Sequence, residues 1–210
     1  NTGSNTAYIQ NLAQNTTSFD LRYGEFFSLG ASFVGKFGIT FDGENVLGHI
    51  SSSTVRRGLR GIILRGASDN TLANNNIYNN GADGIHLNLA SRNLLSGNHI
   101  HGQVNADGLE LAGLTGSNRN IILDNKVYSN GDRGLRLVNS SSNTIIGNKF
   151  YCNSLKGLAL GGGAGGNLLF NNEFYRNNEE GLDIANLAGQ NAVVLIGNHS
   201  YANTLSGLLA

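Results

Sequence analysis

The sequence predicts an all-β chain that winds into a single-stranded parallel β-helix, a solenoid of about 24 residues per coil. Three observations predict this fold class. Polar residues, nearly all of them Asn, recur at three positions of a unit that repeats about every 24 residues. Each unit holds short apolar runs separated by Gly, Asn and Ser, without the 3.6-residue periodicity of a helix. Pro is absent although there are 30 Gly, so the turns rely on Gly, Asn and Ser.

The beginning of the chain repeats poorly. Its aromatic clusters, FDLRY from Phe19 and FGITF from Phe37, alternate as half-buried strands do. We predict irregular N-terminal coils or a cap over residues 1–44, followed by one continuous domain of regular repeats over residues 45–210. Residue 1 is not Met, so we expect that residues precede it in the native chain. The last residues stop inside a repeat, so either the chain is a fragment or its open end is used to stack on another chain.

The regular units align in three polar columns and one glycine column. The first polar column is Asn70, Asn93, Asn120, Asn143, Asn167 and Asn191. The second is Asn75, Asn98, Asn125, Asn148, Asn172 and Asn198, and the third is Asn80, Gln103, Asn130, Asn153, Asn177 and Asn203. Each unit closes with a Gly, at Gly61, Gly84, Gly108, Gly134, Gly157, Gly181 and Gly207. Coils stack about 4.8 Å apart, so a buried Asn can pair with the Asn of the next coil. We interpret these columns as structural.

Units such as NKVYSNGDRGLRL and NKFYCNSLKGLAL resemble right-handed parallel β-helix repeats. Such repeats occur in mannuronan C5-epimerases, in the copper-site maturation protein of nitrous-oxide reductase and in many secreted carbohydrate-active proteins. The resemblance covers about residues 45–210 and implies right-handed coils in a secreted or cell-surface protein. It is specific for the fold only, because enzymes and proteins without known chemistry share this repeat. The Asp-Pro-His-Glu signature of the mannuronan epimerases is absent, and the nearest string runs from Asp83 to His86.

Charge and hydropathy exclude several partners. Lys and Arg together number 14, as do Asp and Glu, so the zero net charge argues against nucleic acid. No run approaches the roughly 20 apolar residues of a membrane helix, and the N-terminus lacks a signal-peptide pattern. The single Cys152 excludes an intramolecular disulfide, and we expect it to be a small packed side chain.

Function is expected where the copies disagree, at positions that face outward. Two neighbouring stripes, inside and just before the closing triplet, bring six ionisable residues onto three successive coils: Asp83, His86, Asp107, Glu110, Arg133 and Arg136. One hypothesis is an epimerase or lyase site with His86, Asp83, Asp107, Glu110 and Arg136 as catalytic residues. His86 would be the base, Arg133 or Arg136 would neutralise a substrate carboxylate, and the two Asp would form an acid–base pair.

The alternative for these stripes is a ladder of ion pairs that only stabilises the sheet. Its predicted pairs are Asp107 with Arg133, Glu110 with Arg136 and Lys156 with Glu180.

Another stripe is aromatic and consists of Tyr78, His101, Tyr128, Tyr151, Tyr175 and Tyr201. If exposed, it would form a flat platform for sugar rings, with Tyr78, His101, Tyr128 and Tyr151 binding substrate beside Arg133, and Tyr78 as a proton donor. If covered, it is an aromatic ladder. His86, His99 and His101 lack a tight ligand spacing, so we predict no metal site, and we predict no cofactor.

Two functions therefore stay open. The first is an extracellular β-helix that interacts with a polysaccharide and modifies an acidic one as an epimerase or lyase. The second is a non-catalytic structural β-helix that associates head to tail into filaments or surface layers, because an open coil leaves unpaired strand edges.

Overall fold

A computed structural model describes residues 7–12, 19–33, 35–185 and 191–210, and its strands form three parallel sheets. The first sheet contains β1 (Ile9–Leu12), β4 (Ile39–Asp42), β7 (Ile62–Arg65), β10 (Ile85–Asn88), β13 (Leu109–Ala112), β16 (Leu135–Val138), β19 (Leu158–Gly161), β22 (Leu182–Ile184) and β25 (Leu208–Leu209). The second contains β2 (Phe19–Arg22), β5 (Gly48–Ser51), β8 (Thr71–Ala73), β11 (Leu94–Ser96), β14 (Ile121–Leu123), β17 (Thr144–Ile146), β20 (Leu168–Phe170) and β23 (Val194–Ile196). The third contains β3 (Glu25–Phe27), β6 (Thr54–Arg56), β9 (Asn76–Tyr78), β12 (His99–His101), β15 (Lys126–Tyr128), β18 (Lys149–Tyr151), β21 (Glu173–Tyr175) and β24 (His199–Tyr201).

Each strand pairs with the strand three places later in the chain, in parallel and with equivalent residues side by side. Ile85 of β10, for example, lies between Ile62 of β7 and Leu109 of β13. Each coil thus contributes one strand to each sheet, and the predicted parallel β-helix of about 24 residues per coil is confirmed. Among the described residues, none belongs to a helix that is long and apolar enough to cross a membrane.

The core is a set of apolar columns that run along the solenoid. Alternate residues of each strand point inward, because successive side chains of a strand face opposite sides. Ile77, Ile100 and Val127 form one such fully buried column, which Phe150 and Phe174 continue with their rings stacked 5.4 Å apart. Columns of this kind bury the inward apolar side chains along the middle of the solenoid, whereas the strands of the last coil, β23 to β25, are exposed.

The polar columns lie at the corners and are buried, as predicted. Asn98 shows the pattern: its Nδ2 donates to Leu72 O at 2.9 Å and to Asn125 Oδ1 at 2.9 Å, and its backbone N–H donates to the same Oδ1. Wherever the structure describes the residue before a member, that residue is in the left-handed region, for example Asp124 before Asn125. That residue turns the chain, so the next side chain can bond inside the corner. Asn191, the last member of the first column, is exposed.

The closing glycines sit where two coils come closest. A Cβ on Gly134 would lie 2.5 Å from Gly157 O and 2.9 Å from Asn153 Nδ2, distances at which atoms clash. Neither glycine has a positive φ, so here it is the close approach of two backbones that requires Gly.

The N-terminal strands and Cys152 each bear on a prediction from the sequence. Strands β1 to β4 continue the three sheets, and Phe19 meets Phe41 edge to face at 5.7 Å. A capping role for residues 1–44 stays a prediction. The prediction of a packed Cys152 is wrong: its thiol is exposed. Cys152 has φ 55° and is the left-handed residue before Asn153, a corner position whose side chain faces solvent.

Candidate functional site

A row of charged side chains crosses the outer face of the first sheet. On β10, Ile85 and Leu87 point into the core, so His86 between them points outward. The register places His86 beside Glu110 of β13, and Glu110 beside Arg136 of β16. The sequence therefore aligned these three residues correctly, and strand pairing explains their contact.

His86 contacts two carboxylates through a single nitrogen. Its Nδ1 lies 2.7 Å from Glu110 Oε2 and 3.2 Å from Asp83 Oδ2. Arg60 reaches Asp83 at 3.6 Å on one side, and Arg136 Nη1 bonds Glu110 Oε1 at 3.0 Å on the other. Two cations therefore flank a compact cluster of one imidazole and two carboxylates.

The row passes from a covered end to an open end. His86 is 7% exposed and Asp83 is 6% exposed, whereas the side chain of Arg136 is 43% exposed. Ile63, the neighbour of His86 on β7, is also buried. A large ligand would therefore meet the row first at Arg136, and His86 lies at its closed end.

The surroundings of His86 favour its charged form. Burial lowers the pKa of the imidazole, but the bonds to Asp83 and Glu110, together with the charge of Glu110, outweigh it and raise the pKa above its usual value. The contact with His86 in turn holds the pKa of Glu110 below its usual value, against the opposing effect of burial. Both shifts favour the charged forms of the two side chains.

Asp107 has the opposite character. Burial raises the pKa of this carboxyl to about 7, and the charge of Asp132 adds to the rise. The backbone N–H of Arg133 donates to Asp107 Oδ1 at 3.0 Å and partly opposes the shift, while the Arg133 guanidinium lies 3.7 Å away and bonds Asp132 more closely, at 2.9 Å. Asp107 can therefore gain or lose a proton near neutral pH.

A groove of about 240 Å³ continues the row on the next coils. Its floor is Ala159 and Gly161 on β19, where short side chains leave space above the sheet. Its cationic lining consists of Arg133, Arg136 and Lys156, and Asp183, which accepts a bond from Lys156, lies at its far side. This groove was not predicted from the sequence, although the small residues Ala159 and Gly161 stand there at positions where other coils carry larger side chains.

The three predicted ion pairs are all present. Arg133 lies 3.7 Å from Asp107, Arg136 lies 3.0 Å from Glu110, and Lys156 lies 3.5 Å from Glu180. These contacts fit a stabilising ladder and also fit a preorganised binding surface. The catalytic roles of His86, Asp83, Asp107, Glu110 and Arg136 stay predictions.

The aromatic stripe is a stacked column on the third sheet. Tyr78, His101, Tyr128, Tyr151, Tyr175 and Tyr201 follow one another with ring centroids 4.7–5.1 Å apart and interplanar angles of 1–9°. Each inner ring covers the faces of its neighbours, so the column presents ring edges and hydroxyl groups to the outside. The CH groups of a sugar stack on ring faces, and these are already in contact with one another.

This column is separate from the charged row, because the two lie on the outer faces of different sheets. Tyr78 and His86 therefore do not share one surface, which removes the geometric basis for pairing them as proton donor and base. Burial and the neighbouring Tyr128 and Tyr175 raise the pKa of Tyr151 to about 12, so its hydroxyl stays protonated. Substrate binding by Tyr78, His101, Tyr128 and Tyr151 stays a prediction.

Among the described residues, one group of three side chains could hold a metal ion. One ligand atom each of Asp83, His86 and Glu110 lie within 4.8 Å of one another. The spacing of His86, His99 and His101 along the sequence gives no sign of this set, because Glu110 joins it from the next coil. Only the stacking of coils brings these three side chains together.

Comparisons with known proteins agree on the fold. The family model described as "Right handed beta helix region" matches residues 35–208. No curated protein matches the sequence significantly. Among solved structures, the periplasmic alginate epimerase AlgG superposes with a TM-score of 0.80 at 20% identity, over 93% of this chain and 51% of that chain. The chain therefore spans about half the length of that epimerase.

Two further structures are similar. Pectate lyase Pel9A gives a TM-score of 0.68 at 14% identity, over 97% of this chain and 68% of that chain. The A-module of the Azotobacter vinelandii mannuronan C-5 epimerase AlgE4 gives a TM-score of 0.57 at 16% identity, over 88% and 65%. At these identities the likeness shows the fold alone.

Proposed function

The chain belongs to the right-handed β-helix family, and from that premise we propose that it binds and modifies an acidic polysaccharide, as an epimerase or a lyase, outside the cytoplasm. The observation that carries the proposal is the continuous surface from Glu110 and Arg136 to the groove over Ala159. This surface has an open cationic lining, and behind it lies Asp107, a buried carboxyl that contacts Arg133 and whose pKa is about 7. The activities of the similar proteins, on alginate and on pectate, support a uronate polymer as the substrate class.

The chemistry that suits this surface begins with removal of the proton beside a uronate carboxylate. A base takes that proton, and the electron pair is delocalised into the carboxylate, which a cation must stabilise. Return of a proton on the opposite face gives the epimer, whereas expulsion of the neighbouring oxygen substituent gives an unsaturated sugar. Both outcomes need the same base and the same cation.

The structure suggests which side chains would take these parts. Arg136 is the exposed cation of the row and would face the substrate carboxylate. Asp107 would exchange the proton, since its pKa of about 7 allows both forms at neutral pH. The base role predicted for His86 requires that a bound substrate draw one carboxylate away from Nδ1, because its present contacts favour the protonated form.

Deuterium incorporation tests this proposal directly. Polymannuronate and polygalacturonate would be incubated with the protein in D₂O, and NMR would report deuterium at the carbon beside the carboxylate, the configuration there, and any unsaturated ends. We expect deuterium at that carbon, for an epimerase, or unsaturated ends, for a lyase, with one of the two polymers and neither with neutral dextran. The rate should fall at least about 100-fold in Arg136→Gln and in His86→Ala.

The matched control is Arg92→Gln, which removes an exposed Arg that pairs with Asp69 away from the row. It should exchange as the unmodified protein does. Absence of both deuterium exchange and unsaturated ends with the two uronate polymers, or an equal rate in Arg136→Gln, would overturn the proposal. Head-to-tail association stays a prediction of the sequence, and sedimentation over a concentration series measures it.

A further inference from the structure

One hydrogen serves two carboxylates at the closed end of the row. Nδ1 of an imidazole carries at most one hydrogen, yet Glu110 Oε2 and Asp83 Oδ2 both approach that nitrogen, at 2.7 and 3.2 Å. A single N–H cannot point well at two acceptors in different directions. A cation placed between the three atoms would contact all of them at once.

We propose that Asp83, His86 and Glu110 bind a divalent transition-metal ion, with Zn²⁺ as the best match. Zn²⁺ binds nitrogen and carboxylate oxygen at about 2.0–2.2 Å, which separates tetrahedral ligands by about 3.3 Å. The three atoms already lie within 4.8 Å of one another, so shifts of a few tenths of an ångström to about one ångström complete the site. The metal replaces the hydrogen on Nδ1, and that proton leaves to solvent.

The fold holds these ligands in place before any ion arrives. His86 and Glu110 are register partners on two strands of the same sheet, and Asp83 lies in the turn that leads into the strand of His86. His86 and Asp83 are more than nine-tenths buried. A small ion can reach this covered end of the row without the wide opening that a polysaccharide needs.

The ligand set also selects the class of ion. One imidazole and two carboxylates are a borderline set that suits Zn²⁺ and similar transition ions, whereas Ca²⁺ takes six to eight oxygen ligands. Three protein ligands leave one tetrahedral position open, as in catalytic zinc sites.

Calorimetry with ZnCl₂, on the 210-residue chain without polysaccharide, tests the site independently of the proposed function. We expect one equivalent of Zn²⁺ to bind, and Co²⁺ to give the visible absorption typical of tetrahedral coordination. Glu110→Gln and Asp83→Asn keep the shape of the side chains and should each weaken binding by more than about tenfold. His86→Ala should abolish it. Thermal unfolding of each variant without metal reports whether it folds.

His99→Ala is the control for location. His99 and His101 both point outward from β12 and form the competing pair of imidazoles. His99→Ala should leave the affinity unchanged. Failure of the unmodified protein to bind Zn²⁺, binding that survives Glu110→Gln in a folded variant, or binding lost in His99→Ala would each overturn the proposal. The exchange assay, run with a chelator, judges the proposed function separately.

Discussion

Asn125 lies directly above Asn98, and its Oδ1 accepts both the backbone N–H and the Nδ2 of Asn98 at 2.9 Å. Its own Nδ2 donates to Leu95 O at 2.9 Å and to Asn148 Oδ1 at 2.9 Å. One side chain thus satisfies groups on the coils on both sides. Similar contacts, repeated at each corner, couple the coils into one cooperative unit.

Replacing Asn125 with Ala should therefore be strongly destabilising. The change leaves a buried carbonyl and buried N–H groups without partners, at about 1–3 kcal/mol each, so we expect a loss of about 3 kcal/mol or more in urea unfolding. Asn191→Ala, at the exposed end of the first column, should change the stability by less than about 0.5 kcal/mol. Equal effects of the two changes would contradict a structural role for the columns.

Gly134→Ala should destabilise the solenoid by about 2–3 kcal/mol, because the new Cβ would lie 2.5 Å from Gly157 O and force two coils apart. Gly161 is the matched control, since its nearest atom to a new Cβ is 3.9 Å away. Gly161→Ala should be neutral or slightly stabilising. Thermal unfolding of both variants makes the comparison, and an undisturbed Gly134→Ala would refute the close approach of the backbones.

Asp107 should make the stability of the protein depend on pH. Its folded pKa of about 7 lies above the ordinary value of 3.8, so between these values the folded state holds a proton that the unfolded state has lost. The contribution of Asp107 to stability is therefore largest below about pH 4, and it falls by about 4 kcal/mol as the pH rises to about 7. Urea midpoints at pH 5 and pH 8 should differ less in Asp107→Asn, and the idea fails if the two proteins show the same difference.

Tyr128 distinguishes the two interpretations of the aromatic column. Tyr128→Ala removes the ring between His101 and Tyr151 and should cost about 1–2 kcal/mol. Tyr128→Phe keeps the stack, so we expect unchanged stability and unchanged polysaccharide affinity. A several-fold loss of affinity in Tyr128→Phe, with its stability intact, would instead support the substrate-binding role predicted from the sequence.

Ala159 tests the groove without altering any charge. Ala159→Leu fills the space between Arg136 and Lys156, so it should weaken binding of the acidic polysaccharide by about tenfold or more while leaving the fold intact. Ala73→Leu makes the same change on the second sheet and should have no effect on binding. Affinity electrophoresis in gels containing the polymer measures the affinity of both variants. An unchanged affinity in Ala159→Leu would mean that the polysaccharide binds elsewhere.

Much of the site was predictable because register follows from the repeat. Once Gly84, Gly108 and Gly134 are aligned, His86, Glu110 and Arg136 must be neighbours, and the structure confirms it. Register does not predict how deeply a side chain is buried. His86 and Arg136 occupy equivalent positions, yet His86 is buried and Arg136 is about half exposed. Burial depends on what covers each coil, and a repeat carries no information about that.

The sequence by itself determined the coil, the corner columns, the closing glycines and the pairing of opposite charges, because all of these depend on contacts between equivalent positions one coil apart. Only the tertiary structure decided the rest. It showed that the aromatic rings stack on each other, that Cys152 is exposed, and that Asp83 and Glu110 both contact Nδ1 of His86. Ring orientation, solvent cover and atomic convergence arise from side-chain packing in three dimensions, which the order of residues in a repeat does not specify.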